Sequence, residues 1–527
     1  MPIEQTRNEV PAPQRKAASR RVKLPMIAAF AGVSAMALFA ALPPQNVNAQ
    51  LKPQGAIEMP GRAPLSFADI VEQVKPAVVS INVTGDQARV AQNNPRGGTP
   101  RGMPEGIPDL PNDHPLNEFF RNFRMQPGQP GQPQQAPRPR QSTGSGFVIS
   151  GDGFVVTNNH VVDGASKVQV VFDENNKYDA DVVGTDARTD LALLKIDAKD
   201  KTFPFVKFAP QTPRVGDWVV AVGNPFGLGG TVTAGIVSAR GRDIGSGPYD
   251  DFIQIDAPVN KGNSGGPTFN TEGDVVGVNT AIYSPSGGSV GIAFAIPAST
   301  VKSVVKQLQD KGSVSRGWIG VQIQQVTPEI ADSLGLKKTE GALVAEPQAN
   351  GPAAKAGIES GDVITKVNDQ PVKDARELAR TIGGMAPGTT VKLAVLHKGQ
   401  DKTLSMTLGE LPNTKTAKAD TDQNDSGRSG RGTTVPHLGL TLAPANSVAG
   451  AGKDGVVVTD VDPNSPSAER GFKEGDVILE VGGKLVATPG EVREAVTTAR
   501  AENKNSVLVR VRSGDSSRFV ALPVSKG

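Results

Sequence analysis

The stretch "GFVVTNNHVV", Gly153 to Val162, opens on a glycine, runs through β-branched residues and breaks on two asparagines. A short apolar run bounded by turn residues predicts a buried strand. The pattern recurs from Ser142 to about Pro297 in "GSGFVIS", "KVQVVF", "DLALLKI", "DWVVAVG", "TVTAGIVSA", "FIQIDAPV", "DVVGVNTAI" and "GIAFAIP", mostly separated by Gly, Asp or Asn. Many short strands at this spacing predict a sandwich or barrels, not alternating strand–helix units. "ASTVKSVVKQLQDKG" (Ala298 to Gly312) then sets Val301, Val304, Val305 and Leu308 at helical spacing, with Gly312 as a stop, so a helix closes the domain.

Upstream, "SFADIVEQVKPAVVSINVTG" (Ser66 to Gly85) predicts a short capped helix broken by Pro76 and followed by a strand. From about Gln87 to Gln141 the composition turns to Pro, Gly, Gln, Asn and Arg, too poor in apolar surface to offset ordering, which reads as a long mobile insertion. Inside it Phe119, Phe120 and Phe123 form a cluster that serves either as a local hydrophobic staple or as an intermolecular contact.

The remainder repeats itself. "KAGIESGDVITKVNDQPV" (Lys355 to Val372) recurs as "ERGFKEGDVILEVGGKLV" (Glu469 to Val486), and "WIGVQI" (Trp318 to Ile323) is mirrored by "HLGLTL" (His437 to Leu442). Two copies are too few and too long for a solenoid, so they read as tandem globular modules of about a hundred residues each. The polar stretch from Asn413 to Thr434 between them reads as a flexible linker.

Composition narrows the function. A chain of 527 residues needs several domains, roughly three or four. Lys+Arg 56 against Asp+Glu 53 leaves +3, a charge that gives no field for nucleic acid or an anionic membrane. With Cys 0 there is no disulfide, thiolate nucleophile or cysteine metal site, and the 4 histidines are scattered, so neither a metal nor a cofactor is expected. Basic residues from Arg15 to Lys23, the apolar run Met26 to Leu42, and small residues at Val47 and Ala49 read as a secretory signal, cleaved before Gln50. The alternative is an uncleaved anchor, and membrane association is expected only in that case.

The chemistry centres on "NKGNSGGPTF", Asn260 to Phe269. Glycines around Ser264 permit positive-φ geometry and expose backbone N–H groups, so the amides of Gly262 and Ser264 are candidates for an oxyanion hole. A serine among glycines is by itself usually a turn. Its base would be His160, the single histidine of the β region, and Asp190, directly before the "LALLKI" strand, would orient the imidazole. The chain order His160, Asp190, Ser264 is that of chymotrypsin-like enzymes.

Taken together, "TNNHVV", "TDLALLK", "GNSGGP" and "GIAFAIP" resemble the signatures of the HtrA/DegP (Do-like) serine endoproteases, over nearly the whole chain after the signal. The resemblance implies a mostly β chain: a chymotrypsin-like double β-barrel protease domain followed by two PDZ domains. Accordingly, 1–49 would be the signal peptide, 50–65 a mature N-terminal segment, and 66–312 the protease domain with its insertion at 87–141. PDZ domain 1 would span 313–410, the linker 411–434 and PDZ domain 2 435–527. It further implies that Val259, Ile282 and Tyr283 wall a small aliphatic S1 pocket, and that the loop around Arg242 senses occupied PDZ domains. Gly317, Trp318, Ile319 and Gly320 resemble a carboxylate-binding loop, whereas Pro436 removes a donor from the second copy. The implied protein is an ATP-independent periplasmic endoprotease of unfolded or misfolded proteins with chaperone activity, a homotrimer or multiple of trimers whose PDZ domains bind substrate C-termini. The alternative is a chaperone or peptide-binding scaffold with a vestigial triad.

Overall fold

The computed structural model describes residues 66–85, 140–412 and 433–524, except 199, 226, 228, 286, 436, 437 and 515. The signal segment, the insertion with Phe119, Phe120 and Phe123, most of the linker, Pro436 and His437 lie outside the described residues. The helix Ala68–Val74 passes through a turn at Lys75–Ala77, where Pro76 sits, into the first strand.

Twelve strands form two closed barrels. The first contains β1 (Val78–Gly85), β2 (Arg140–Val148), β3 (Phe154–Thr157), β4 (Ala165–Val171), β5 (Lys177–Asp186) and β6 (Leu191–Ile196). The second contains β7 (Trp218–Gly223), β8 (Thr231–Arg242), β9 (Phe252–Ile255), β10 (Pro267–Phe269), β11 (Val275–Ile282) and β12 (Ala293–Pro297). The cyclic order β1-β2-β3-β6-β5-β4 is repeated as β7-β8-β9-β12-β11-β10, so the barrels share one topology. Because side chains alternate across a strand, "LALLKI" serves two cores. Ala192, Leu194 and Ile196 fill the first barrel, while Leu191 and Leu193 join the cluster that extends through the second. This two-sided burial explains why the strands read as continuous apolar runs. The helix Ala298–Lys311 buries Val301, Val304, Val305 and Leu308 and stops at Gly312, whose φ of 69° is left-handed.

The first C-terminal module orders its sheet β14-β15-β16-β18-β19. These are β14 (Val321–Gln325), β15 (Ala342–Pro347), β16 (Val363–Val367), β18 (Thr390–His397) and β19 (Gln400–Thr407), with β17 (Gln370–Pro371) on β16. Before β14, β13 (Gly317–Trp318) pairs with β20 (Gly409–Glu410). The second module orders β21-β22-β23-β24-β26-β27. These are β21 (Thr433–Val435), β22 (Leu440–Pro444), β23 (Val456–Val461), β24 (Val477–Val481), β26 (Ser506–Ser513) and β27 (Ser516–Pro523), with β25 (Lys484–Leu485) on β24. Thr433 and Thr434, which read as linker, here belong to a strand.

The modules share a core. Val326, Ile330, Leu343 and Val363 of the first pack with Leu508, Phe519 and Ala521 of the second. Polar contacts frame it. Gln324 donates to Phe519 O at 3.0 Å and accepts from Phe519 N at 2.6 Å, and Gln322 accepts from Ser517 N at 3.0 Å.

Candidate active site

His160 sits just past the end of β3, in a short helix, Asn159–Val162, that begins where the two asparagines break the β-branched run. The preceding asparagines account for this turn: Asn158 Nδ2 and Asn159 N both donate to Asp190 O, at 2.9 and 3.1 Å. Asp190 is thereby fixed in the left-handed region, with φ of 56°, a conformation that aspartate tolerates better than most residues. Its carboxylate collects three donors: His160 N on Oδ1 at 2.9 Å, and His160 Nδ1 at 2.7 Å and Thr280 Oγ1 at 2.5 Å on Oδ2. Since that oxygen is an acceptor, Nδ1 is assigned the ring proton and Nε2 the basic lone pair.

Ser264 is fully buried, and its hydroxyl donates to Thr280 O at 3.4 Å. Thr280 therefore holds both the Asp190 carboxylate, through its side chain, and Ser264, through its backbone. The turn that carries Ser264 is pinned by Ser145 of β2. Ser145 Oγ donates to Gly262 O at 2.6 Å and accepts from Asn224 N at 2.8 Å, while Ser145 N donates to Ser264 O at 2.9 Å. With both carbonyls drawn toward β2, the intervening Asn263 amide donates to Asn260 O. Among the described residues, the Gly262 and Ser264 amides donate to no protein acceptor. Gly262 has φ of 92°, and a Cβ there would lie 2.5 Å from Pro225 Cβ, so only glycine fits.

The remaining candidate residues are spread around this centre. Val259 and Ile282 are buried in the barrel core, whereas Tyr283, just past β11, is 41% exposed. Arg242 ends β8 and donates to Gln254 Oε1 at 2.8 Å. The loop after it meets the first module. Arg380 Nη1 donates to Asp250 O at 2.9 Å and to Asp251 Oδ1 at 3.2 Å, and Arg376 pairs with Asp243. Burial pushes the Asp250 and Asp251 carboxyls up, with Arg380 and Arg240 opposing the rise at Asp251. Arg316 makes a buried two-point pair with Asp186, at 2.9 and 2.5 Å, and stacks over Tyr249.

Gly317 to Gly320 lie across the module at β13, with Ile319 buried and Gly320 left-handed at φ 74°. A cavity of about 1040 Å³ between Lys75, Phe172, Phe203 and Asn224 includes none of the candidate residues. Among the described residues, no group of three histidines or carboxylates could hold a metal ion. Thr280 and Ser145 were missed from sequence, because a hydroxyl within a strand run carries no spacing signal.

Two barrels of this topology, with an imidazole–carboxylate pair linked through Thr280 to a serine in a glycine turn, define a trypsin-like serine peptidase with an appended pair of modules. Residues 144–278 match the trypsin-like peptidase domain family, and residues 317–408 and 436–520 each match the PDZ domain family. A protein of Brucella suis biovar 1 (strain 1330), named a probable periplasmic serine endoprotease DegP-like, is 53% identical over 471 residues, 87% of this chain and 90% of the relative. A relative of the same name from Rhizobium meliloti (strain 1021) is 47% identical over 510 residues, 94% of this chain and 99% of the relative. Among solved structures, the HtrA-type protease AlgW with a tripeptide superposes with a TM-score of 0.52 at 35% identity, covering 67% of this chain and 99% of that one. The chain belongs to the HtrA/DegP-like family of PDZ-bearing serine endoproteases.

Proposed function

We propose that the chain is a periplasmic, ATP-independent endoprotease that hydrolyses unfolded or misfolded proteins. The observation that carries this reading is that His160 and Thr280 meet on the Asp190 carboxylate while Thr280 O also accepts the Ser264 hydroxyl, with the Gly262 and Ser264 amides on either side of Asn263 left for an oxyanion. Rotation of the Ser264 hydroxyl from Thr280 O toward His160 Nε2 arms the nucleophile. His160 takes the proton as Oγ attacks the scissile carbonyl, and returns it to the leaving amine as the C–N bond breaks. Water then repeats the sequence on the acyl-enzyme. Asp190 holds the imidazole tautomer, and the Gly262 and Ser264 amides receive the tetrahedral oxygen, each worth roughly 3–4 kcal/mol of barrier.

In the same proposal Val259, Ile282 and Tyr283 wall an S1 pocket for small aliphatic residues, and Gly317 to Gly320 grip substrate C-termini. The Arg242 loop links PDZ occupancy to the site, and the working unit is a trimer or a multiple of trimers. Residues 66–312 form the protease domain, 313–410 the first PDZ domain and 435–527 the second, with export directed by residues 1–49. Digestion of β-casein by the parent and by Ser264→Ala tests the reading. Loss of casein only with the parent is expected, and equal loss with both overturns it. Chaperone activity predicts that Ser264→Ala suppresses aggregation of an unfolded client, and no suppression at molar excess removes that part.

A further inference from the structure

We propose that the groove of the second PDZ module is a peptide site already filled in cis, by Thr433-Thr434-Val435 of the segment that leads into it. A PDZ ligand adds an antiparallel strand to a sheet edge, with its C-terminus toward the loop that precedes that edge strand. The edge strand is β14 in the first module and, by the matching strand order, β22 in the second. Among the described residues β14 pairs with β15 alone, but β22 carries β21 on its outer edge. The register is Thr433↔Leu442, Thr434↔Thr441 and Val435↔Leu440, antiparallel as a ligand would lie. The helix Pro489–Ala501 packs against both β21 and β22, so the segment lies between helix and sheet, where a ligand strand adds.

Two further observations fit the last residue to the role of a ligand terminus. The Val435 side chain is only 3% exposed and shares a core cluster with Leu438, Leu440, Val492 and Val496. Its carbonyl accepts the amides of Leu438 at 3.0 Å and Gly439 at 3.1 Å. These loop positions correspond to Ile319 and Gly320 of the first module, so the amides available for a ligand's terminal carboxylate are already engaged. Alternation along the strand puts Thr433 and Val435 on one face and Thr434 on the other; Val435 is buried, and both threonines are exposed. The groove is therefore shaped for an extended terminus with a β-branched apolar last residue.

In the first module the equivalent segment is held elsewhere. Arg316 is drawn into its pair with Asp186, and Gly317 pairs with Glu410, so the incoming chain cannot fold back on β14. An occupant joined directly to its groove acts at an effective concentration on the order of millimolar, so a free peptide's apparent affinity for the second module falls by roughly tenfold to a hundredfold.

The test uses the full-length Ser264→Ala chain and a fluorescein-labelled decapeptide ending in Thr-Thr-Val carboxylate. Hydrogen exchange without peptide should show the β22 segment protected and the β14 segment exchanging faster, with added peptide slowing β14 only. Val435→Asp, or Thr434→Pro, which removes a strand amide at an exposed position, should accelerate exchange in β22 and raise binding from one peptide per chain to two. If peptide slows β22 in the parent at the concentration that slows β14, or if β22 in the parent exchanges as fast as β14, the proposal is overturned. These readouts do not depend on the catalytic assignment.

Discussion

The two PDZ modules share one strand order, yet one presents an open edge beside its glycine loop and the other has that edge covered by its own chain. What separates them is what precedes each loop. Arg316 and Gly317 tie the first entry to the protease domain and to Glu410, whereas Thr433 to Val435, entering the second, return along β22. The same fold thus acquires two states of access from its connections.

The shared core between the modules is the place to break this comparison most severely. Phe519 is 4% exposed among Val326, Ile330 and Leu343, so Phe519→Ala should cost about 3–5 kcal/mol and split a joint calorimetric transition of the two modules into separate ones. An unchanged transition would mean that the modules do not stabilise each other. Next come the loop glycines. Gly439 has φ of 65° and a Cβ there would stand 2.1 Å from Ser465 Cβ, whereas at Gly320 the nearest atom is the Trp318 ring at 3.0 Å. Urea unfolding should therefore report a loss of roughly 2–4 kcal/mol for Gly439→Ala and roughly 1–2 kcal/mol for Gly320→Ala, and equal losses would contradict the tighter packing of the second loop.

A smaller difference lies in the buried aspartate that each repeat carries. Asp362 pairs with His397 Nδ1 at 2.6 Å, while Asp476, its counterpart, accepts from Ser513 Oγ at 2.6 Å. His397→Ala should cost roughly 1–3 kcal/mol and Ser513→Ala about 1 kcal/mol, as read from denaturant midpoints, because Asp476 keeps Arg518 at 3.9 Å as well. A reversed order would show that the imidazole contributes packing at most. The mildest change is Gln324→Ala, which should lower stability by about 1 kcal/mol and speed exchange at the Phe519 amide; protection unaltered there would remove the glutamine from the junction.

Much of this architecture is legible in the sequence, because β-branched runs between glycines have few alternatives to buried strands and because a repeated "GDV" segment marks a repeated module. The chain order of His160, Asp190 and Ser264 likewise placed the candidate site on a double-barrel reading. Legibility ended where a residue acts through its neighbours in space. Thr280 lies in an ordinary strand sequence, at the bulge that interrupts the pairing of β11 with β12, and its hydroxyl meets Asp190 of the other barrel only across the fold. Ser145 reads as a small residue among glycines, and its two bonds to the Ser264 turn depend on how the barrels meet. The helical turn at His160 was hidden by Val161 and Val162, which favour strands until the Asn158 and Asn159 contacts to Asp190 overrule them. Nor could composition distinguish Thr433 and Thr434 from the polar residues before them.

The glutamine contacts to β27 bear on solubility. A sheet's outer strand normally presents unpaired amides and carbonyls that invite another chain to join it, the route to aggregation and domain swapping. In the second module β21 takes one rim, and on the other Gln322 and Gln324 occupy the Ser517 and Phe519 backbone groups. Two amide side chains thus stand in for a neighbouring strand, and a sheet that is not closed into a barrel gains at those positions a comparable resistance to edge-to-edge growth.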